Sequence, residues 1–219
     1  MSLAGLGTIE PIDTESLRGY LQNPQAPSGA GMVLTHGAGS DCNAPLLAQV
    51  ANAFSQAGVA VLRCDLAFRR KRPKGPPFPN AAAGDRDGLR RAVAHLRSIA
   101  AGPIYLGGHS YGGRQASLLA AEEPDIAKAL LLLSYPLHPP DQPEKMRTDH
   151  FASLQTRCVF VSGDKDPFGS ISEFQSALKV IPAPNRFIPI AGAGHDLRKG
   201  RFDLDPMVQA LLEAAVSLA

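Results

Sequence analysis

Gly108-His109-Ser110-Tyr111-Gly112 places a serine between two glycines at the G-x-S-x-G spacing of a nucleophile elbow. A hydroxyl held on a tight strand-to-helix turn points into a cleft. Glycines two residues before and after it remove the Cβ atoms that would crowd that turn. A neutral hydroxyl is a poor nucleophile, so Ser110 needs a base, and the base needs an acid to orient it. The chain supplies both downstream, in the order Ser, Asp, His. Asp166 lies in Gly163-Asp164-Lys165-Asp166-Pro167, and His195 ends Ala191-Gly192-Ala193-Gly194-His195. Of the six histidines, only His195 lies in a post-strand loop beyond the acid. Asp164 competes with Asp166: it sits closer to the preceding strand, whereas Asp166 occupies a G-x-x-D position. Attack on an acyl carbon also creates an oxyanion, which two backbone N–H groups must hold. Tyr111, next after the serine, is one candidate donor. Ala38, in the turn His36-Gly37-Ala38-Gly39, is the other.

These residues have to be brought together by elements far apart in the chain. Met32–Thr35, Val59–Leu62, Pro103–Leu106, Ala129–Ser134, Cys158–Ser162 and Arg186–Ile190 are short apolar runs that read as strands. The continuous run Ala129–Leu133 is of the kind covered on both faces. Amphipathic stretches alternate with them: one from Ala44 with Pro45 in its first turn, one from Asp85, one over Gln115–Glu122, and one from Asp205. Ser170 and Glu173 have capping-box spacing for another. This alternation predicts an α/β fold, a mostly parallel sheet with helices on both faces. In such a sheet the loops after the strands gather along one edge, where ligands bind. Ser110, Asp166, His195 and the His36–Gly39 turn each follow a predicted strand. Residues 1 to 30 are poorly patterned apart from a strand over Ser16–Leu21. Asp65 to Gly84 reads as a long loop, and Tyr135 to Gln155 as a proline-rich irregular segment too short for a lid.

Length and composition bound the rest. The 219 residues predict one domain over 1–219, and 44% hydrophobic content is that of a globular protein. A net charge of +2 gives no case for a nucleic-acid partner. The basic run Arg69–Lys74 is expected to be a solvated, mobile loop on the active-site edge, with attraction of an anionic ester as its functional alternative. Three scattered cysteines, Cys42, Cys64 and Cys158, fit free thiols in a reducing compartment, hence the cytoplasm. Met1–Gly5 has neither a basic region nor an apolar core, so neither a signal peptide nor a membrane partner is expected. No metal-type spacing occurs, and no metal or cofactor is expected. His36, His109, Arg147 and His150 are the candidate substrate contacts; His36 is expected rather to be a structural hydrogen-bonding residue, and Arg147 and His150 to serve in an ion pair or a cap.

On these residues the chain resembles the α/β-hydrolase superfamily over most of its length, and within it the small dienelactone-hydrolase-like proteins without a lid domain. Thr35–Gly39, Gly108–Arg114, Tyr135–Pro140, Arg147–His150 and Gly163–Gly169 carry a narrower similarity. It is to a bacterial group related to a human testis-expressed hydrolase-like protein and a chromatin NSL-complex subunit. Dienelactone hydrolases proper use a cysteine nucleophile, whereas this elbow carries Ser110. The resemblance and the residues together predict a serine hydrolase of a small carboxylic ester or thioester, with a small-molecule acyl substrate as partner. Cofactor-free perhydrolysis is a related chemistry on the same triad. A catalytically idle binding module is the alternative of a different class. It has no need to keep the three residues and the glycine-rich turn together.

Overall fold

The computed structural model of the protein describes residues 7–198 and 203–216. The reading of Met1–Gly5 falls outside them. Eight strands among the described residues form one sheet: β1 (Ile9–Asp13), β2 (Arg18–Gln22), β3 (Gly31–Thr35), β4 (Ala60–Cys64), β5 (Ile104–His109), β6 (Ala129–Leu133), β7 (Arg157–Gly163) and β8 (Asn185–Ile190). Their order is β1-β2-β4-β3-β5-β6-β7-β8. At one edge β1 pairs antiparallel with β2, and β2 antiparallel with β4; from β4 through β3, β5, β6 and β7 to β8 every pairing is parallel.

Among the described residues six α-helices accompany the sheet: α1 (Pro45–Gln56), α2 (Ala67–Lys71), α3 (Ala82–Arg97), α4 (Tyr111–Glu122), α5 (Ile171–Ala177) and α6 (Asp205–Val216). The two faces follow from strand alternation. Val33, Leu106, Leu130, Leu132 and Phe160 pack with Leu89 and Val93 of α3 and Leu119 of α4. The intervening residues Met32, Leu34, Tyr105, Leu131 and Val161 pack on the other side, with Val50 and Phe54 of α1 and Leu211 of α6. The β3, β5 and β6 runs are apolar at nearly every position because both sheet faces are covered there.

The register aligns the strand ends that matter. Thr35 pairs with Gly108, His109 with Leu133, Leu133 with Val161, and Gly163 with Ile190. The loops beginning at 36, 110, 134, 164 and 191 therefore emerge side by side. The Ser170/Glu173 capping box is present at the start of α5.

Three departures from the sequence reading have physical causes. β1 lies in the stretch that looked unpatterned, because it is an exposed edge strand with Pro11 in it and buries little. The expected loop Asp65–Gly84 contains α2 and the first turn of α3. The Phe68 N–H donates to the buried Asp85 carboxylate (2.8 Å), which fastens the two helices together. The helix after the elbow starts at Tyr111, earlier than Gln115, since two glycines weaken its propensity but the turn fixes its start. No helix among the described residues is long and apolar enough to cross a membrane.

Candidate active site

Ser110 stands between β5 and α4 at φ 51°, ψ −117°. This is backbone that a non-glycine residue adopts only under constraint. The constraint is visible. The Ser110 N–H donates to the Leu133 carbonyl on the next strand (2.8 Å), and its own carbonyl accepts from the Arg114 N–H (3.0 Å). The two glycines of the motif are needed for different reasons. A Cβ on Gly108 would lie 2.8 Å from the Gly112 carbonyl carbon, within the elbow itself. A Cβ on Gly112 would lie 2.5 Å from the His36 carbonyl oxygen, on the neighbouring strand exit. Gly112 thus lets the His36–Gly39 turn close against the elbow.

His195 comes to Ser110 from the loop after β8. The Ser110 hydroxyl and His195 Nε2 are 2.9 Å apart. On the far side of the ring, Nδ1 lies 2.9 Å and 3.0 Å from the two Asp166 carboxylate oxygens. An ionised carboxylate only accepts, so the ring proton sits on Nδ1 and the Nε2 lone pair faces the hydroxyl. The Asp166 carboxylate is wholly buried, and His195 is 24% exposed. Ser162 Oγ (3.1 Å) and the Phe168 N–H (3.0 Å) also donate to Asp166. The Phe168 ring lies against His195, with centroids 4.2 Å apart at 33°. Asp164 is exposed and turns away: it accepts the Gly192 N–H (2.8 Å) and ties down the loop that carries His195. The structure thus brings together Ser110, Asp166 and His195, and gives Asp164 a turn-fastening role.

The Tyr111 N–H is at the first position of α4. It has no intrahelical acceptor and sits at the positive end of the helix dipole. Ala38 lies in the turn that the Ser40 N–H closes onto the Gly37 carbonyl (3.2 Å). A Cβ on Gly37 would lie 3.0 Å from His109 Nδ1 and 3.4 Å from Ser110 Cβ, so this turn abuts the nucleophile. Two residues that support these donors escaped the sequence reading. Arg69, 3% exposed, sends its guanidinium under the turn. Its Nη2 donates to the Ala38 carbonyl (2.8 Å) and its Nε to the Ser40 carbonyl (2.8 Å). Nη1 and Nη2 also reach the carbonyls of Arg72 (3.0 Å) and Gly75 (3.1 Å). Asp85 accepts the Tyr111 hydroxyl (2.8 Å) from within the core, where burial raises its pKa above the ordinary carboxylate value.

The expectation of a solvated, mobile Arg69–Lys74 loop is therefore corrected. Arg69 and Arg70 lie in a helix, Arg70 donates to the Thr14 (2.9 Å) and Glu15 carbonyls, and Arg72 stacks on Phe78 with 4.6 Å to the ring centroid. The unmet carbonyls of a glycine- and proline-rich segment need donors, and the arginines supply them. Lys71 and Lys74 are exposed.

The expected substrate contacts divide. His36 is fully buried and cannot touch substrate. Its Nδ1–H donates to the Gly37 carbonyl (2.8 Å) and its Nε2 accepts the Leu66 N–H (3.1 Å); burial lowers its pKa, so it is a neutral strut. His109 Nε2–H donates to the His195 carbonyl (2.8 Å), and burial pushes its pKa down to about 4. It therefore positions the His195 backbone. His150 Nε2 is engaged with Ser117 Oγ (2.8 Å). Arg147 is half-buried, with its guanidinium unpaired among the described residues. Cys42 is buried, and burial raises its thiol pKa to about 12, which leaves it inert as a nucleophile.

A six-strand parallel run with a strained serine at a strand-to-helix turn, and no inserted lid domain, defines a small lidless α/β-hydrolase fold. The chain belongs to the alpha/beta hydrolase domain family, whose profile matches residues 28–217. Solved structures share the fold. A dienelactone hydrolase from Anabaena variabilis is 23% identical over 94% of this chain and 95% of its own, with a TM-score of 0.73. Est1E from Butyrivibrio proteoclasticus is 20% identical over 96% and 97%, TM-score 0.69, and has also been solved with ferulic acid bound. A lidless α/β serine hydrolase from Xanthomonas campestris is 16% identical over 98% and 95%, TM-score 0.69. Family membership makes the protein a hydrolase.

Proposed function

We propose that the protein is a serine hydrolase that cleaves a small carboxylic ester or thioester through an acyl-enzyme. Ser110 Oγ attacks the carbonyl carbon while His195 Nε2 takes the hydroxyl proton. The N–H groups of Ala38 and Tyr111 hold the negative charge of the tetrahedral intermediate. His195 then gives its proton to the departing alkoxide or thiolate. Water enters, His195 deprotonates it, and the hydroxide attacks the acyl carbon. Collapse releases the acid and returns a proton to Ser110. Asp166 keeps the imidazole in the Nδ1–H tautomer and offsets its charge once it becomes imidazolium.

The observation that carries this reading is the 2.9 Å contact of Ser110 Oγ with His195 Nε2, on a ring whose other nitrogen faces a buried carboxylate. The known bound molecule of a fold neighbour, ferulic acid on Est1E, is an aromatic carboxylic acid, which fits an acyl product. Three buried free cysteines support a reducing compartment and hence the cytoplasm.

The test is steady-state turnover of 4-nitrophenyl acetate, 4-nitrophenyl butyrate and short-chain acyl thioesters, beside Ser110→Ala. The expected result is saturable hydrolysis of at least one series, reduced about a thousandfold or more in the variant. Turnover that survives Ser110→Ala intact would place the chemistry elsewhere.

A further inference from the structure

Arg114 lies in the first turn of α4, four residues after Ser110, and its N–H donates to the Ser110 carbonyl. Helical side chains lean toward the helix N-terminus, so this one leans back toward the elbow. Arg147 arrives from the Tyr135–Gln155 segment. Its N–H donates to the Leu137 carbonyl (2.7 Å), and its carbonyl accepts the Tyr135 hydroxyl (2.7 Å). Tyr135 follows directly on β6, two residues beyond the Leu133 carbonyl that receives the Ser110 N–H. Arg114 therefore sits one helical turn from Ser110, and the Arg147 backbone is fastened to the loop that leaves β6.

Neither has a countercharge. Among the described residues, no carboxylate pairs with Arg114 or Arg147, and Arg114 Nε is fully buried without a hydrogen-bond acceptor. Arg18, by contrast, pairs with Asp65, and Arg86 and Arg90 with Glu122. Asp149 is exposed and makes no ion pair here. His150 adds no third charge at neutral pH, because burial and the nearby Arg114 lower its pKa to about 4. Burial and Arg114 likewise lower the pKa of Arg147, so the two cations are close enough to oppose each other. Two unpaired, partly desolvated guanidiniums are unfavourable unless an anion joins them. Their planar forks match the oxygens of a carboxylate or a phosphate.

We propose that Arg114 and Arg147 form an anion subsite beside Ser110, which selects esters or thioesters carrying a second acid group. The inference rests on the hydrolase reading above for its substrate, while the subsite itself is testable without turnover.

Mono-4-nitrophenyl glutarate and 4-nitrophenyl valerate differ chiefly in a terminal carboxylate. The expected result is a kcat/KM ratio, anionic over neutral, that falls roughly tenfold to a hundredfold in Arg114→Gln and in Arg147→Gln, with less loss in Arg114→Lys. Equal losses on both esters would mark a structural role and overturn the proposal. In parallel, succinate and inorganic phosphate are titrated calorimetrically into Ser110→Ala, whose folding is checked by thermal melting. Saturable binding that Arg114→Gln removes supports the subsite even if no ester is turned over, and the tighter of the two anions identifies the acid group. Saturable binding of neither anion overturns it.

Discussion

Ser110 holds a backbone conformation that costs a non-glycine residue on the order of 1–3 kcal/mol, and hydrogen bonds to two elements keep it there. Its partners are equally specific. Asp166→Asn removes the acceptor that fixes the His195 tautomer, and a fall in kcat of about 10³- to 10⁴-fold is expected. Asp164→Asn keeps an oxygen for the Gly192 N–H and is expected to cost less than about tenfold. Steady-state kinetics on both variants checks the pair, and reversed losses would exchange the two roles. His109 makes a second prediction. Its folded pKa of about 4 lies below the ordinary histidine value, so between those pH values the unfolded chain binds more protons than the folded one. Stability is then full above about pH 6.5 and is lost as the pH falls toward 4. Urea unfolding at pH 7 and pH 5 should show a drop on the order of 1–2 kcal/mol that His109→Gln diminishes. At this scale the sequence told much: Ser110, Asp166 and His195 were legible because each follows an apolar strand. The choice between Asp164 and Asp166 was open in spacing alone, since both sit in one short turn and only its hydrogen bonds separate them. The full burial of His36 was not legible, because residue type says nothing of burial.

At the scale of elements, the His36–Gly39 turn, proposed to hold the oxyanion, depends on α2. Arg69 supplies the Ala38 and Ser40 carbonyls with buried donors, and thereby fixes where the Ala38 N–H points. Arg69→Ala leaves those carbonyls unpaired, at about 1–3 kcal/mol of stability, and should lower kcat about tenfold to a hundredfold. Kinetics combined with thermal melting checks it. A loss of stability with kcat unchanged would leave Arg69 a purely structural clamp. Gly112→Ala tests the join between β3 and α4: its Cβ would sit 2.5 Å from the His36 carbonyl oxygen. A destabilisation on the order of 3 kcal/mol is expected in denaturant titrations. The role of Arg69 was hidden in the sequence because a basic run normally reads as a solvated surface. The short helix α2 was hidden for a related reason: five residues carry too little periodicity to register. β1 escaped because an exposed edge strand needs no alternation of buried and exposed residues.

At the scale of the whole molecule, the alternation of apolar strands and amphipathic helices was enough to foretell a parallel sheet covered on both faces. That architecture alone makes the loops after β3, β5, β7 and β8 neighbours, although they are spread over more than 150 residues of chain. The order of the strands was less legible, because pairing partners are chosen by packing across the sheet and not by any local pattern. Cys64 and Cys158 lie in the covered sheet and Cys42 in the loop after β3, each free and buried. Ellman's reagent should find no fast-reacting thiol in the native protein and all three in denaturant. A rapid native reaction would mean that the core opens around one of them.

The proposed catalysis requires an activated Ser110. A fluorophosphonate probe, followed by intact mass and peptide mapping, tests this without knowledge of the substrate. The predicted result is one adduct, on Ser110, lost in Ser110→Ala and slowed at least a hundredfold in His195→Ala. A well-folded protein that takes no label, or labels as fast without His195, would contradict it.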